Sequence, residues 1–141
     1  MAADGACYFC GQPESMLHVL RDCSHARQIW DLLVPTQQHG EFFSQELCGW
    51  LWSNLLGSPL DDLEEWTTTF SIACWRIWAW RNKMVFTNKV VPLEAKIRDI
   101  RSRVQRYREA AACEGVLGVR DRHYESIMDF SILMVKRCVS S

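Results

Sequence analysis

Apolar residues recur at helical spacing along most of the chain. Ala26, Ile29, Trp30 and Leu33 fall at i, i+3, i+4 and i+7, which is one face of an amphipathic helix. Ser24 is of the N-capping type and Pro35 stops a helix, so the pattern predicts one over 25–33. A loop follows over 35–43. Leu47, Leu51 and Leu55, with either Trp50 or Trp52 inward, predict a second helix over 44–56 capped by Ser44. The third is long, about 60–86. Its acids at 61–65 sit in the first turn, where they favour the helix dipole. Leu63, Trp66, Phe70, Cys74, Ile77, Trp78 and Val85 form its inner stripe, while Trp75 and Trp80 add a second apolar face. After a break at 88–92, Ile97, Ile100, Val104, Tyr107 and Ala111 predict a fourth helix over 92–113, ended by Gly115 and Gly118. Tyr124, Ile127, Met128, Ile132, Leu133 and Val135 suggest a helix over 121–138. No stretch reads as a strand. The expectation is an all-α chain in three parts: residues 1–34, a helical body over 35–114, and a tail over 115–141.

The first 23 residues break this pattern and carry the chemistry. Cys7, Cys10, His18 and Cys23 are spaced C-x2-C-x7-H-x4-C. Three thiolates and one imidazole are a ligand set for tetrahedral Zn²⁺, and four protein ligands leave no position open for a substrate. The expected cofactor is therefore a structural zinc ion. Gly11, after the second cysteine, suits a turn that needs positive φ. His25, two residues past the last ligand, is a rival for the imidazole position.

With 141 residues and 48% hydrophobic content, the chain can bury roughly 68–70% of its unfolded surface. No apolar run is long enough to span a membrane, and the N-terminus has no secretory pattern. Cys48, Cys74, Cys113 and Cys138 read as free, mostly buried thiols. This favours a reducing compartment, cytoplasm or nucleus. The net charge of −1 hides a division. Residues 1–66 hold 2 bases against 10 acids, a net of −8; residues 67–141 hold 14 against 7, a net of +7.

That asymmetry places candidate nucleic-acid contacts on the basic half. Arg98, Arg101, Arg103, Arg106 and Arg108 could track phosphates, with Tyr8 and Phe9 of the zinc loop as stacking groups, although the acidic surroundings of that loop favour packing of Tyr8 and Phe9 on the helix after Cys23. The alternative for the arginines is a solvated helix face partnered by Glu94, Asp99 and Glu109. Trp50, Trp52, Trp75 and Trp80 are candidates for a protein-binding surface, since aromatic residues dominate interfaces. No GxSxG, phosphate-binding glycine loop or HExxH occurs. The residues alone predict a non-enzymatic chain with no small-molecule substrate and no membrane contact.

Cys7-Tyr-Phe-Cys-Gly11, Glu14, His18-Val-Leu20, Cys23, Ala26-Arg27 and Ile29-Trp30 resemble the zinc-binding domain that follows the reverse transcriptase of plant non-LTR (LINE-type) retrotransposons. Phe42-Phe43, 50–55, Cys74-Trp75-Arg76-Ile77-Trp78 and 80–86 extend the resemblance over about residues 7–112. It implies the same four zinc ligands and a role in holding template RNA or DNA. No polymerase is recognisable here, nor the beginning of a ribonuclease H domain. The reading is a free-standing remnant serving as a zinc-binding interaction module. It binds a protein partner or itself, with inherited RNA or single-strand binding as the alternative.

Overall fold

The computed structural model describes residues 5–7, 9–55 and 63–117, together with 130, 133, 134 and 136. The described residues are helical outside the N-terminal loop and the short connections at 34–35, 43–46 and 88–92, as the periodicity predicts. Five α-helices are formed among them: α1 Ser24–Leu33, α2 His39–Phe42, α3 Leu47–Leu55, α4 Leu63–Thr87 and α5 Leu93–Leu117. A π-helical turn, His18–Asp22, precedes α1, and a 3₁₀ turn, Thr36–Gln38, precedes α2. No strand forms among the described residues; one isolated antiparallel bridge joins Ala6 to Pro13.

The helices pack as antiparallel hairpins. Trp50 meets Phe70, and Asn54 accepts from the Trp66 indole at 2.9 Å, so α3 and α4 run in opposite directions. The pairs Trp80–Lys96, Arg76–Asp99 and Trp75–Arg103 do the same for α4 and α5. Asn88 ends α4 with φ 55 and donates its N–H to Met84, an αL cap that turns the chain sharply enough for a short connection.

One aromatic cluster organises the core. Trp30, Trp50 and Phe70 are fully buried, with ring centroids 4.8–5.8 Å apart. Phe42 closes the group from α2. Such tilted and edge-on contacts add about 0.5–1.5 kcal/mol per pair beyond area burial. Ile72, Ala73, Cys74 and Ile77 of α4, and Ile97, Ile100 and Val104 of α5, complete the core, with Met134 of the tail.

Several expectations change. Trp50 rather than Trp52 faces inward; Trp52 is 46% exposed. Ser24 is the first residue of α1, not its cap: Cys23 holds the capping position without a side-chain bond. The 35–43 loop contains a 3₁₀ turn and α2. The second helix begins at Leu47, so Ser44 lies before it. α5 runs through Gly115 to Leu117; one glycine costs a helix only about 1 kcal/mol, too little to end it. Of the expected tail helix, residues 130, 133, 134 and 136 are helical. Tyr8, Cys138, Gly118, the acids at 61 and 62, and the rest of the tail lie outside the described residues, as does the Cys113 side chain.

Candidate metal centre

The N-terminal loop is built around two left-handed glycines. Gly5 and Gly11 have φ near +75°. The Gly11 N–H donates to Cys7 O at 2.9 Å, and the Cys7 N–H to Gln12 O at 2.7 Å. This tight turn aims both thiols of Cys7-x2-Cys10 the same way.

The other two ligands come from the π turn. Ser15 receives the His18 N–H on its hydroxyl at 3.0 Å and the Val19 N–H on its carbonyl at 3.0 Å, starting the turn. The Cys23 N–H then bonds to His18 O at 2.7 Å, an i to i+5 bond. Residues five apart lie about 140° apart around an α-helix. The wider π turn brings the fifth residue back beside the first. It therefore turns the His18-x4-Cys23 spacing into a pair of neighbouring ligands.

The ligand atoms of Cys7, Cys10, His18 and Cys23 all lie within 4.8 Å of one another, close enough to hold a metal ion. Cys7 Sγ and Cys23 Sγ are 3.8 Å apart, and Cys10 Sγ lies 3.2 Å from His18 Nε2. Tetrahedral zinc with bonds of about 2.3 Å to sulfur requires sulfur–sulfur separations of about 3.8 Å. The donor set and its spacing fit that ion. Cys7, His18 and Cys23 are buried; Cys10 is exposed. His25 stands outside the cluster, its ring 4.4 Å from Phe9.

The charges around the cluster are consistent with ligation. Burial pushes the Cys7 thiol up, but the backbone N–H groups of Phe9 and Cys10 and the side chains of His18 and Cys10 outweigh it, bringing it down to about 6. Burial, followed by the charges of Cys7 and Cys10, pushes Cys23 up to about 11. Neighbouring thiolates thus repel one another until a cation joins them. Three thiolates with a divalent ion leave a net charge of −1. Lys96, buried on α5, supplies the nearby positive charge. Burial holds its ammonium below the ordinary lysine range and the Cys23 thiolate partly restores it. His25 is likewise lowered by burial and by Lys96.

Three buried charged residues fasten this lobe to the body. Glu14 pairs with Arg81 of α4, both side chains about a tenth exposed. Arg21 donates to Phe42 O and Gln45 O at 3.3 and 2.6 Å and pairs with Asp22 at 2.7 Å. The Trp30 indole donates to Leu20 O at 2.7 Å. The sequence reading missed Glu14–Arg81 and Lys96. For Lys96 a signal was present: it occupies an apolar slot between Leu93 and Ile97 on the buried stripe of α5.

The other candidates separate. Arg98, Arg101, Arg106 and Arg108 are exposed on α5. Arg103 instead bonds both oxygens of Asp99 at 3.1 Å and lies over Trp75. Phe9 is half-buried beside the cluster. Trp50 and Trp80 are buried in the core and Trp75 is half-buried under Arg76 and Arg103, so Trp52 alone of the four expected surface tryptophans is exposed. Trp50 of α3 packs on Phe70 of α4, while α5 covers Trp75 and Trp80 of α4 through Arg103 and Lys96. Among the described residues no helix is long and apolar enough to cross a membrane.

No family profile matches the chain, and no solved structure matches it. An Arabidopsis thaliana protein, provisionally named a ribonuclease H protein, is 41% identical over 88 residues. The match covers 61% of this chain and 14% of that protein. The chain thus spans about a seventh of the relative's length. Its name is of the kind that retroelement proteins carry. This overturns the expectation of a non-enzymatic chain: the chain is similar to a segment of a protein named for an enzyme.

Proposed function

We propose that the chain is a zinc-binding module of the kind that follows the reverse transcriptase in plant LINE-type retrotransposons, and that it holds single-stranded nucleic acid along the outer face of α5. The observation that carries this is the exposed row of Arg98, Arg101, Arg106 and Arg108. At 100° per residue these four side chains occupy an arc of about 160° and a length of about 15 Å. They lie in the half of the chain with net charge +7. The zinc is structural: it holds the lobe against α4 and α5 and leaves no ligand position open. The relative's ribonuclease H name supports a nucleic-acid setting.

The test is fluorescence anisotropy of the zinc-loaded chain with single-stranded RNA and DNA across a salt series. Four phosphate contacts on a single strand give a slope of log K against log salt of about −3. Arg101→Glu with Arg106→Glu should weaken binding and flatten the slope. An unchanged affinity and slope in that variant sinks the proposal. A second reading, a protein partner or a second copy, rests on Phe86, 83% exposed at the end of α4, and on Trp52.

A further inference from the structure

The four candidate ligands differ in how they meet solvent. Cys7, His18 and Cys23 are buried, whereas Cys10 is exposed, as are Gly11, Gln12 and Pro13 after it. Cys74 is buried and Cys48 half-buried, so among the described cysteines Cys10 is the one that a solute reaches directly. The thiolate, not the thiol, reacts with peroxides, and charge and access together set how readily a cysteine is oxidised. A metal keeps each ligating sulfur deprotonated. Cys10 therefore combines thiolate character with access, while Cys7 and Cys23 have the first without the second.

A partner for an oxidised Cys10 is already in place. Cys7 Sγ lies within 4.8 Å of Cys10 Sγ. Both belong to one turn, closed by the Gly11 N–H bond to Cys7 O at 2.9 Å. Cys23 Sγ is within the same distance, but its backbone is held on both sides. The Cys23 N–H donates to His18 O at 2.7 Å, and its carbonyl accepts the Arg27 N–H at 2.8 Å. Moving Cys23 toward Cys10 strains the π turn and the first turn of α1. Cys7 and Cys10 sit in a loop and can close on each other without disturbing a helix, and two cysteines at this spacing are a common redox pair.

We infer that Cys10 is a redox modification site, through which a peroxide releases the metal and loosens the N-terminal lobe. This rests on the zinc reading above and adds a control to it. The Cys10 thiolate attacks one peroxide oxygen, the O–O bond breaks and hydroxide leaves, so that Cys10 carries a sulfenic acid. The Cys7 thiolate then attacks the Cys10 sulfur, the S–O bond breaks and a second hydroxide leaves. The product is a Cys7–Cys10 disulfide. Two thiolates have given up two electrons, the peroxide has taken them, and both hydroxides are protonated by the buffer to water. His18 and Cys23 remain, and two protein ligands do not make a closed structural zinc site. A dithiol reductant with added zinc restores the centre, because the disulfide precedes the irreversible oxidation states.

The experiment treats the full zinc-loaded chain with hydrogen peroxide. Released zinc is read with a chromogenic chelator, and oxidised cysteines are mapped by peptide mass spectrometry with and without a sulfenic-acid trap. The expected result is loss of the zinc, early trapping at Cys10, a Cys7–Cys10 disulfide when the trap is omitted, and recovery of zinc after reduction. Cys10→His keeps four ligands but removes the exposed sulfur, and should slow zinc release about tenfold or more. Release from Cys10→His as fast as from the unaltered chain overturns the inference. If that variant takes up no zinc, the mapping on the unaltered chain decides: first trapping at Cys7, Cys23 or Cys48 overturns the inference. Zinc that stays bound while peroxide is consumed also overturns it and leaves the metal reading standing. A chain that holds no zinc before treatment removes both.

Discussion

Cys10→Ser separates a metal-held fold from an ordinary one. Cys10 is exposed and contributes nothing to the core. If the four side chains were ordinary packing residues, this change would fall within about 0.5 kcal/mol, as surface substitutions do. If they hold a metal, the loss is far larger. Structural zinc supplies apparent binding energies of roughly 10–16 kcal/mol, comparable with the whole stability of a domain. The part of that energy the helical body feels can be worked from its ties to the lobe. Leu20 is fully buried, about 2 kcal/mol. The Trp30–Leu20 hydrogen bond adds about 1 kcal/mol, and the Arg21 bonds to Phe42 and Gln45 about 2 more. Together these couple about 5 kcal/mol of core stability to the lobe, or a fall in Tm of about 10–20 °C. The assay is thermal unfolding followed by far-UV circular dichroism, with metal content measured on the same sample. Chelation of the unaltered chain should reproduce the fall. A Tm within about 2 °C of the parent, for either perturbation, refutes the reasoning.

Two further outcomes follow from burial. Trp50→Ala should cost about 3–5 kcal/mol in urea denaturation, whereas Trp52→Ala, two residues on and exposed, should change stability by less than about 0.5 kcal/mol; equal costs would mean that the inward tryptophan is misassigned. Cys74 is held well above its ordinary value of 9.0 by burial. The unfolded chain ionises this thiol first, so its contribution is complete below pH 9 and is lost as pH rises beyond it. The urea midpoint should therefore fall between pH 8 and pH 10, and the fall should be smaller in Cys74→Ala.

The helices were legible because their apolar periods are long and regular: α1 begins within a residue of expectation and α4 and α5 within three. The centre was legible because cysteine and histidine at these spacings have few other uses. Position within a crowded apolar segment was not. Trp50 and Trp52 are 200° apart on α3, and a segment apolar on both sides gives periodicity nothing to choose between. The buried charges were equally hidden. Arg21 looks like a surface base until its carbonyl partners at Phe42 and Gln45 arrive from 21 and 24 residues away. The π turn is visible only in retrospect: two ligands five residues apart cannot share a face of an α-helix, and the i to i+5 bond resolves that conflict.

The same ties bear on how function depends on the metal. Phe9 lies between Cys7 and Cys10, and Glu14 is anchored on Arg81 of α4. Leu20, Arg21 and Trp30 carry any disturbance of this lobe into the aromatic core through the bonds to Leu20 O, Phe42 O and Gln45 O. Fold and candidate metal centre therefore behave as one cooperative unit, and only substitutions that spare the four ligands, such as those on the outer face of α5, can separate binding from folding.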